Sequence, residues 1–122
     1  MDTIYPKLRV HIYSRIDKCI LETDLQNSCL WKFAYDNDYI IAGIYIEILD
    51  CSNRHKNYFI DYTSKEFINL LSNLKKDDCI LVYSKSHFFP DEEYVADIIR
   101  YIHSIGAWIH FVKDELASYS LI

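Results

Sequence analysis

Glycine is scarce in this chain. Only Gly43 and Gly106 occur in 122 residues, and neither follows a strand in a G-x-G-x-x-G or G-K-[ST] setting, which excludes the usual backbone cradle for a nucleotide phosphate. No G-x-S-x-G elbow is present and no serine has legible Asp and His partners, so a hydrolase triad is not indicated. Cys19, Cys29, Cys51 and Cys79 are too widely spaced for a C-x-x-C metal or redox pair and read as reduced, mostly buried thiols. His11, His55, His87, His103 and His110 form no H-x-x-x-H pair, so a metal is not indicated, and with the nucleotide cradle absent no small-molecule cofactor is expected. No run approaches the roughly 18 apolar residues of a membrane span. The start, MDTIYPKLRV, lacks the apolar core and small-residue cleavage site of a signal peptide. A cytoplasmic chain without membrane contact is expected.

Hydrophobic residues make up 51% of the chain, enough for one core, so residues 1–122 are expected to form a single domain. Eighteen acidic against thirteen basic residues give a formal charge of -5. Such a balance repels a phosphate backbone unless the basic residues cluster. Only Lys75-Lys76 and Arg54-His55-Lys56 are dense in positive charge, and both read as solvated loops or helix ends. DNA binding by this domain is expected to be weak or absent.

Hydrophobic period orders the elements. Leu8–Ile16 reads as a buried strand. Thr23-x-x-Gln26 is a capping-box pattern, followed by Leu25, Cys29, Leu30, Phe33 and Ala34 at helical spacing, which predicts a helix from Asp24 to Asp36. The run YIIAGIYIEIL, Tyr39–Leu49, is a second strand ending at Asp50, and CSNRHKNYFIDY after it reads as a loop. Thr63-x-x-Glu66 opens a helix whose Phe67, Leu70, Leu71 and Leu74 face the core. CILVY, Cys79–Tyr83, suits a strand covered on both faces. A helix begins near Pro90 with Tyr94, Val95, Ile98, Ile99 and Ile102 as its stripe, Gly106 breaks it, and Ala107–Val112 is the last strand. The order βαβαβαβ predicts a three-layer α/β domain with a mostly parallel four-stranded sheet.

In such sheets the ligand crevice lies off the carboxyl ends of the strands. Asp17, Asp50 and the segment Ser84–Phe89 are therefore expected near one rim. The stretch HIYSRIDKC, His11–Cys19, places Arg15 and Asp17 there, opposite charges at the end of the first strand.

Tyr13-Ser14-Arg15-Ile16-Asp17 resembles the Y-x-R-[VI]-S opening of the serine recombinases, the resolvases and invertases. Asp24-Leu25-Gln26 is similar to the family's D-x-Q segment at the same distance, and Ile48-Leu49-Asp50-Cys51-Ser52 to its acidic loop after the second strand. Phe67-Ile68-Asn69-Leu70-Leu71-Ser72 resembles its R-x-x-[LF]-x-x-[LM]-[LM] helix. Lys76–Tyr83 resembles its G-D-x-[LIV]-x-V strand, and Ile105–Ile109 its G-[VA]-x-[IL] approach to the last strand. The resemblance runs from Val10 to Val112 and implies a resolvase catalytic-domain fold.

It also exposes departures. In the family the serine ending the first motif attacks a DNA phosphodiester; here Asp17 stands in that place. Ser64 replaces the arginine expected at the start of the third-segment helix, and Ser86-His87-Phe88-Phe89-Pro90 stands for D-R-L-x-R. Of the arginines that would neutralise the scissile phosphate, Arg15 remains. Phosphoryl transfer depends on positioning and on stabilising charge at the phosphoryl oxygens, and losing one such donor costs about two to three decades in rate. The resemblance thus implies a vestigial site at Arg15, Asp17, Gln26, Asp50, Ser64 and His87, with Arg15 held by carboxylates such as Asp17 or Asp50. Lys113–Ile122 is too short for the family's dimerisation helix and DNA-binding domain, so neither is expected.

A noncatalytic recombinase-like protein follows as the expected function, a remnant of a mobile element or a domain acting through a protein partner or self-association. Eleven tyrosines and His87-Phe88-Phe89-Pro90 suit a protein-binding surface. Two alternatives use the same rim. Asp17 and Asp50 at neighbouring strand ends suit Mg²⁺-dependent phosphotransfer. A retained DNA-recombinase function would need Ser14 or Ser28 to replace the lost serine, yet Ser14, three residues before Asp17, is expected on the opposite side of the strand.

Overall fold

Strand β1 (Arg9–Asp17) is followed by helix α1 (Glu22–Asp36), strand β2 (Ile40–Leu49), helix α2 (Lys65–Asn73), strand β3 (Cys79–Val82), helix α3 (Glu92–Ile105) and strand β4 (Trp108–Phe111). This computed structural model describes residues 7–17, 22–49, 64–84 and 92–113. The strands pair in the order β2-β1-β3-β4, and each pair is parallel. The expected three-layer α/β architecture is the one observed.

The two faces of β1 split the core. Val10 and Ile12 point into a cluster with Leu30 and Ala34 of α1 and with Cys79, Leu81 and Val112. Tyr13, on the other face, packs with Phe67 and Leu70 of α2, Ile80 and Val82 of β3, and Ile98 and Ile102 of α3. One helix therefore covers one face and two cover the other. The four residues of β3 are all buried, as a continuous apolar run in a central parallel strand requires.

Helix α1 corrects two expectations. It begins at Glu22, so Thr23 lies inside its first turn and is not its N-cap. Its buried stripe is narrow: Leu30 and Ala34 are fully buried and Phe33 partly, whereas Leu25 is 68% exposed and Cys29 is exposed. At 100° per residue, positions 25 and 29 turn away from a face centred on 30 and 34. Of the thiols expected to be mostly buried, Cys79 is buried and Cys29 is not; Cys19 and Cys51 lie outside the described residues.

Two helices end in the same left-handed geometry. At the end of α1, Tyr39 N–H bonds to Ala34 O at 3.0 Å and Asp38 N–H to Tyr35 O at 3.1 Å, with Asp38 at φ 58°. At the end of α3, Ala107 bonds to Ile102 O and Gly106 to His103 O, both at 3.0 Å, with Gly106 at φ 84°. Both are Schellman caps, which satisfy the last carbonyls of a helix and redirect the chain into a strand.

Candidate functional site

The strands β1 and β3 pair along Val10–Ile12 and Cys79–Leu81. Beyond Ile12, β1 continues to Asp17 and, among the described residues, pairs there with β2 alone. The chain order reverses between β1 and β3, so this divergence is the topological switch point at which α/β sheets open a crevice. Ser84, just past β3, is buried. The rest of the segment expected at this rim, Lys85–Phe89 with His87 in it, lies outside the described residues, as does Asp50. Asp17 is the last residue of β1, in register with Leu49.

Arg15 lies on this extension of β1 and is 5% exposed. Its Nη1 donates to Tyr13 Oη at 2.6 Å and to Ser64 Oγ at 3.1 Å. Tyr13 Oη in turn donates to Glu47 Oε1 at 3.0 Å. Glu47, the cross-strand neighbour of Arg15, then accepts the backbone N–H of Glu66, at 3.1 Å to Oε1 and 3.3 Å to Oε2. A cation and a carboxylate are thus linked through a phenol. Burial pushes the Tyr13 hydroxyl well above its ordinary range; Arg15 opposes that shift and Glu47 adds to it. The phenol stays protonated, accepting from Arg15 while donating to Glu47.

Helix α2 shows why Glu47 sits there. The expected capping box put Thr63 at the N-cap, but the helix starts at Lys65 with Ser64 as N-cap, and Ser64 makes no side-chain capping bond. The orphan N–H of Glu66 is taken by a carboxylate from β2. A negative charge at a helix N-terminus is favoured by the exposed amides and the helix dipole. This end of α2 is therefore filled by the protein's own anion.

Ser14 lies on the opposite face of β1, where its Oγ donates to Asn27 Oδ1 of α1 at 2.7 Å. That bond fixes β1 to α1 and points the hydroxyl away from the Arg15 side. Gln26 is half-buried on α1, one residue before Asn27, and Ser28 is exposed. Direct contact brings together two of the expected site positions, Arg15 and Ser64, 49 residues apart. Among the described residues no group of three or more His, Cys, Asp or Glu side chains could hold a metal ion, and no helix is long and apolar enough to cross a membrane.

A second buried polar pair lies toward the amino end of the sheet. His11 Nε2 is 2.8 Å from Asp78 Oδ2, both side chains 2% exposed. Asp78 also accepts the Lys75 N–H at 3.0 Å, and Arg9 Nη1 approaches it at 3.8 Å. His11 Nδ1 is buried without a hydrogen-bond partner. Neither Glu47 nor the His11–Asp78 pair was singled out from the sequence. The signal for Glu47 was its place as the single charge within YIIAGIYIEIL, on the same strand face as Tyr45 and so on the covered side of the sheet.

No protein-family model matches the sequence, and no curated protein matches it. Solved structures do. A resolvase-family site-specific recombinase from Streptococcus pneumoniae superposes with a TM-score of 0.67 at 20% identity, over 88% of this chain and 74% of that one. The chain has the resolvase catalytic-domain fold. The C-terminal catalytic domain of ISC1926 TnpA, an IS607-like serine recombinase, superposes with a TM-score of 0.65 at 18% identity, over 86% of this chain and 67% of that one. Within this serine-recombinase fold, β1, which carries Tyr13, Arg15 and Asp17, lies in the middle of the sheet with its carboxyl end at the switch point.

Proposed function

We propose that this chain is a serine-recombinase-like domain with no strand-cleaving chemistry of its own, acting through protein contacts. The observation that carries the reading is the burial of Arg15, whose guanidinium is bonded to Tyr13 and Ser64 and is 5% exposed. A cation held in this way is poorly placed to stabilise charge on a scissile phosphate, which needs donors aimed at the phosphoryl oxygens. Asp17, at the position where the resemblance expects the attacking serine, brings a carboxylate instead of a hydroxyl. Ser64, where an arginine is expected, serves Arg15 as an acceptor. The Glu47 carboxylate at the start of α2 adds a further negative charge within the same network.

The test is nicking of supercoiled DNA, with the wild-type chain and with Asp17→Ser. Neither is expected to cut, because restoring the hydroxyl leaves the arginines missing. Covalent attachment of Asp17→Ser to a DNA end would overturn the reading. DNA binding at low salt is expected to be weak; a complex whose affinity falls steeply with salt would restore a DNA-related role.

A further inference from the structure

Strand β2 offers a second copy an edge and part of one face. Its outer edge has no strand partner among the described residues. One of its faces is covered by α2, where Tyr45 is buried. On the other face, the side of α1, Ile44 and Ile48 are 41% and 57% exposed and Ile46 is half-buried. Long apolar edges are normally blunted by lysine, proline or an inward charge. Here the run IIAGIYIEIL has no lysine and no proline, and its one charge, Glu47, is turned to Tyr13 and the Glu66 amide on the covered side. The register irregularity lies between Val10 and His11, opposite the start of β2. From Gly43 to Leu49 the strand is regular.

The neighbouring flank of α1 carries two aromatic side chains, Trp31 and Tyr35. Phe33 stacks on His110 of β4 at 5.3 Å, so the opposite flank of the helix, with Ser28, Trp31 and Tyr35, lies toward β2. Trp31 is 40% and Tyr35 84% exposed.

We propose that this edge pairs with the same edge of a second copy, β2 against β2 in antiparallel sense about a twofold axis. A twofold contact needs a self-complementary patch, and this strand supplies one. With Ile46 opposite its own copy, Ile44 lies opposite Ile48 of the second copy, so six isoleucines form cross-strand pairs on one face. Trp31 and Tyr35 of each copy wall the strip. These side chains expose on the order of 500 Å² per copy, to which the paired backbone adds, against roughly 800 Å² per partner in a stable interface. No charged side chain must be desolvated in the paired isoleucines, and the shared sheet joins two edges that have no strand partner among the described residues.

The inference supplies a partner for the protein-contact reading and rests on that reading for its use alone: the contact is tested by association, and the absence of cleavage by nicking. Sedimentation equilibrium of the full chain over a hundredfold range of concentration is expected to show a monomer–dimer equilibrium. Ile48→Lys and Ile46→Lys, which bring like charges to the pairing face, are each expected to weaken it by about tenfold or more, with far-UV circular dichroism and melting unchanged for the exposed Ile48 site. Ile68→Lys, on α2, is the control and leaves it intact. Hydrogen exchange in 40–49 is expected to slow as the dimer forms. A chain that stays monomeric throughout, or a dimer that both lysine variants leave unchanged, would overturn the proposal.

Discussion

The carboxylate of Glu47 on β2 meets the backbone N–H of Glu66 on α2 at 3.1 Å, so a strand caps a helix 19 residues further along the chain. The same oxygen accepts from Tyr13, which makes the cap part of the network that holds Arg15. Glu47→Ala removes the cap and leaves the Tyr13 hydroxyl without this acceptor. Loss of a helix cap costs about 1–2 kcal/mol, and urea unfolding of Glu47→Ala should show at least that loss. Glu47→Gln keeps an acceptor oxygen and should lose less; equal stability of the alanine variant and wild type would show that the cap contributes nothing.

His11 and Asp78 tie β1 to the turn before β3 in a region excluded from water. Leaving a buried polar group without its partner typically costs about 1–3 kcal/mol. Asp78→Ala also frees the Lys75 amide and is expected to be among the most destabilising single changes in the chain. A double-mutant cycle with His11→Phe measures the coupling, which should be well above that of the exposed Lys7–Asp38 pair.

Gly106 and Asp38 hold equivalent left-handed positions at the ends of α3 and α1. A Cβ at Gly106 would come 3.1 Å from Lys76 Cγ, on a backbone that costs a residue with a side chain about 1–2 kcal/mol. Gly106→Ala should lower stability by about that amount. Asp38→Gly relieves the left-handed strain but gives the unfolded chain more freedom, and it should change stability by under about 0.5 kcal/mol. Thermal melts of the two variants side by side give the comparison.

Stability should fall on the alkaline side. Burial, with the Asp78 charge adding, pushes the Cys79 thiol from 9.0 up to about 12, and burial raises the Tyr13 hydroxyl above 10.0. Both groups keep in the folded state a proton that the unfolded chain releases. Their contribution is complete below about pH 9 and declines as pH rises toward the folded values, first through Cys79 and above pH 10 through Tyr13 as well. Each contributes a slope of up to about 1.4 kcal/mol per pH unit. Urea unfolding as a function of pH should show this decline, and Cys79→Ala should flatten its first part. In the folded protein a maleimide should label Cys29 and spare Cys79, as peptide mapping will resolve.

The order of elements was legible because it rests on local signals. Strands with alternating or continuous apolar residues, helices with a 3.6-residue stripe and a glycine after the last one carry their period within ten residues or so. β2 and β3 were placed within one residue, and the Phe67–Leu70 face of α2 is buried as its spacing implies. Helix starts were less legible. A capping box can be recognised by spacing alone, but at α2 the capping group comes from another strand, and a local pattern carries no trace of it.

The candidate site divides in the same way. Arg15 was marked by the chain itself, as a charge at the end of an apolar strand. Its surroundings were not, because Tyr13 reaches Glu47 across 34 residues and Arg15 reaches Ser64 across 49. The sequence by itself determined the alternation of strands and helices, the parallel α/β class and the strand that carries Arg15 and Asp17, since each follows from periodicity and chain order. Only the tertiary structure decided that Arg15 is buried, that Glu47 caps α2, that Ser14 serves α1 and that Ile44 and Ile48 of β2 are exposed. Each depends on which side chains meet once the sheet is assembled, and a contact of that kind is a property of the packing that no local period encodes.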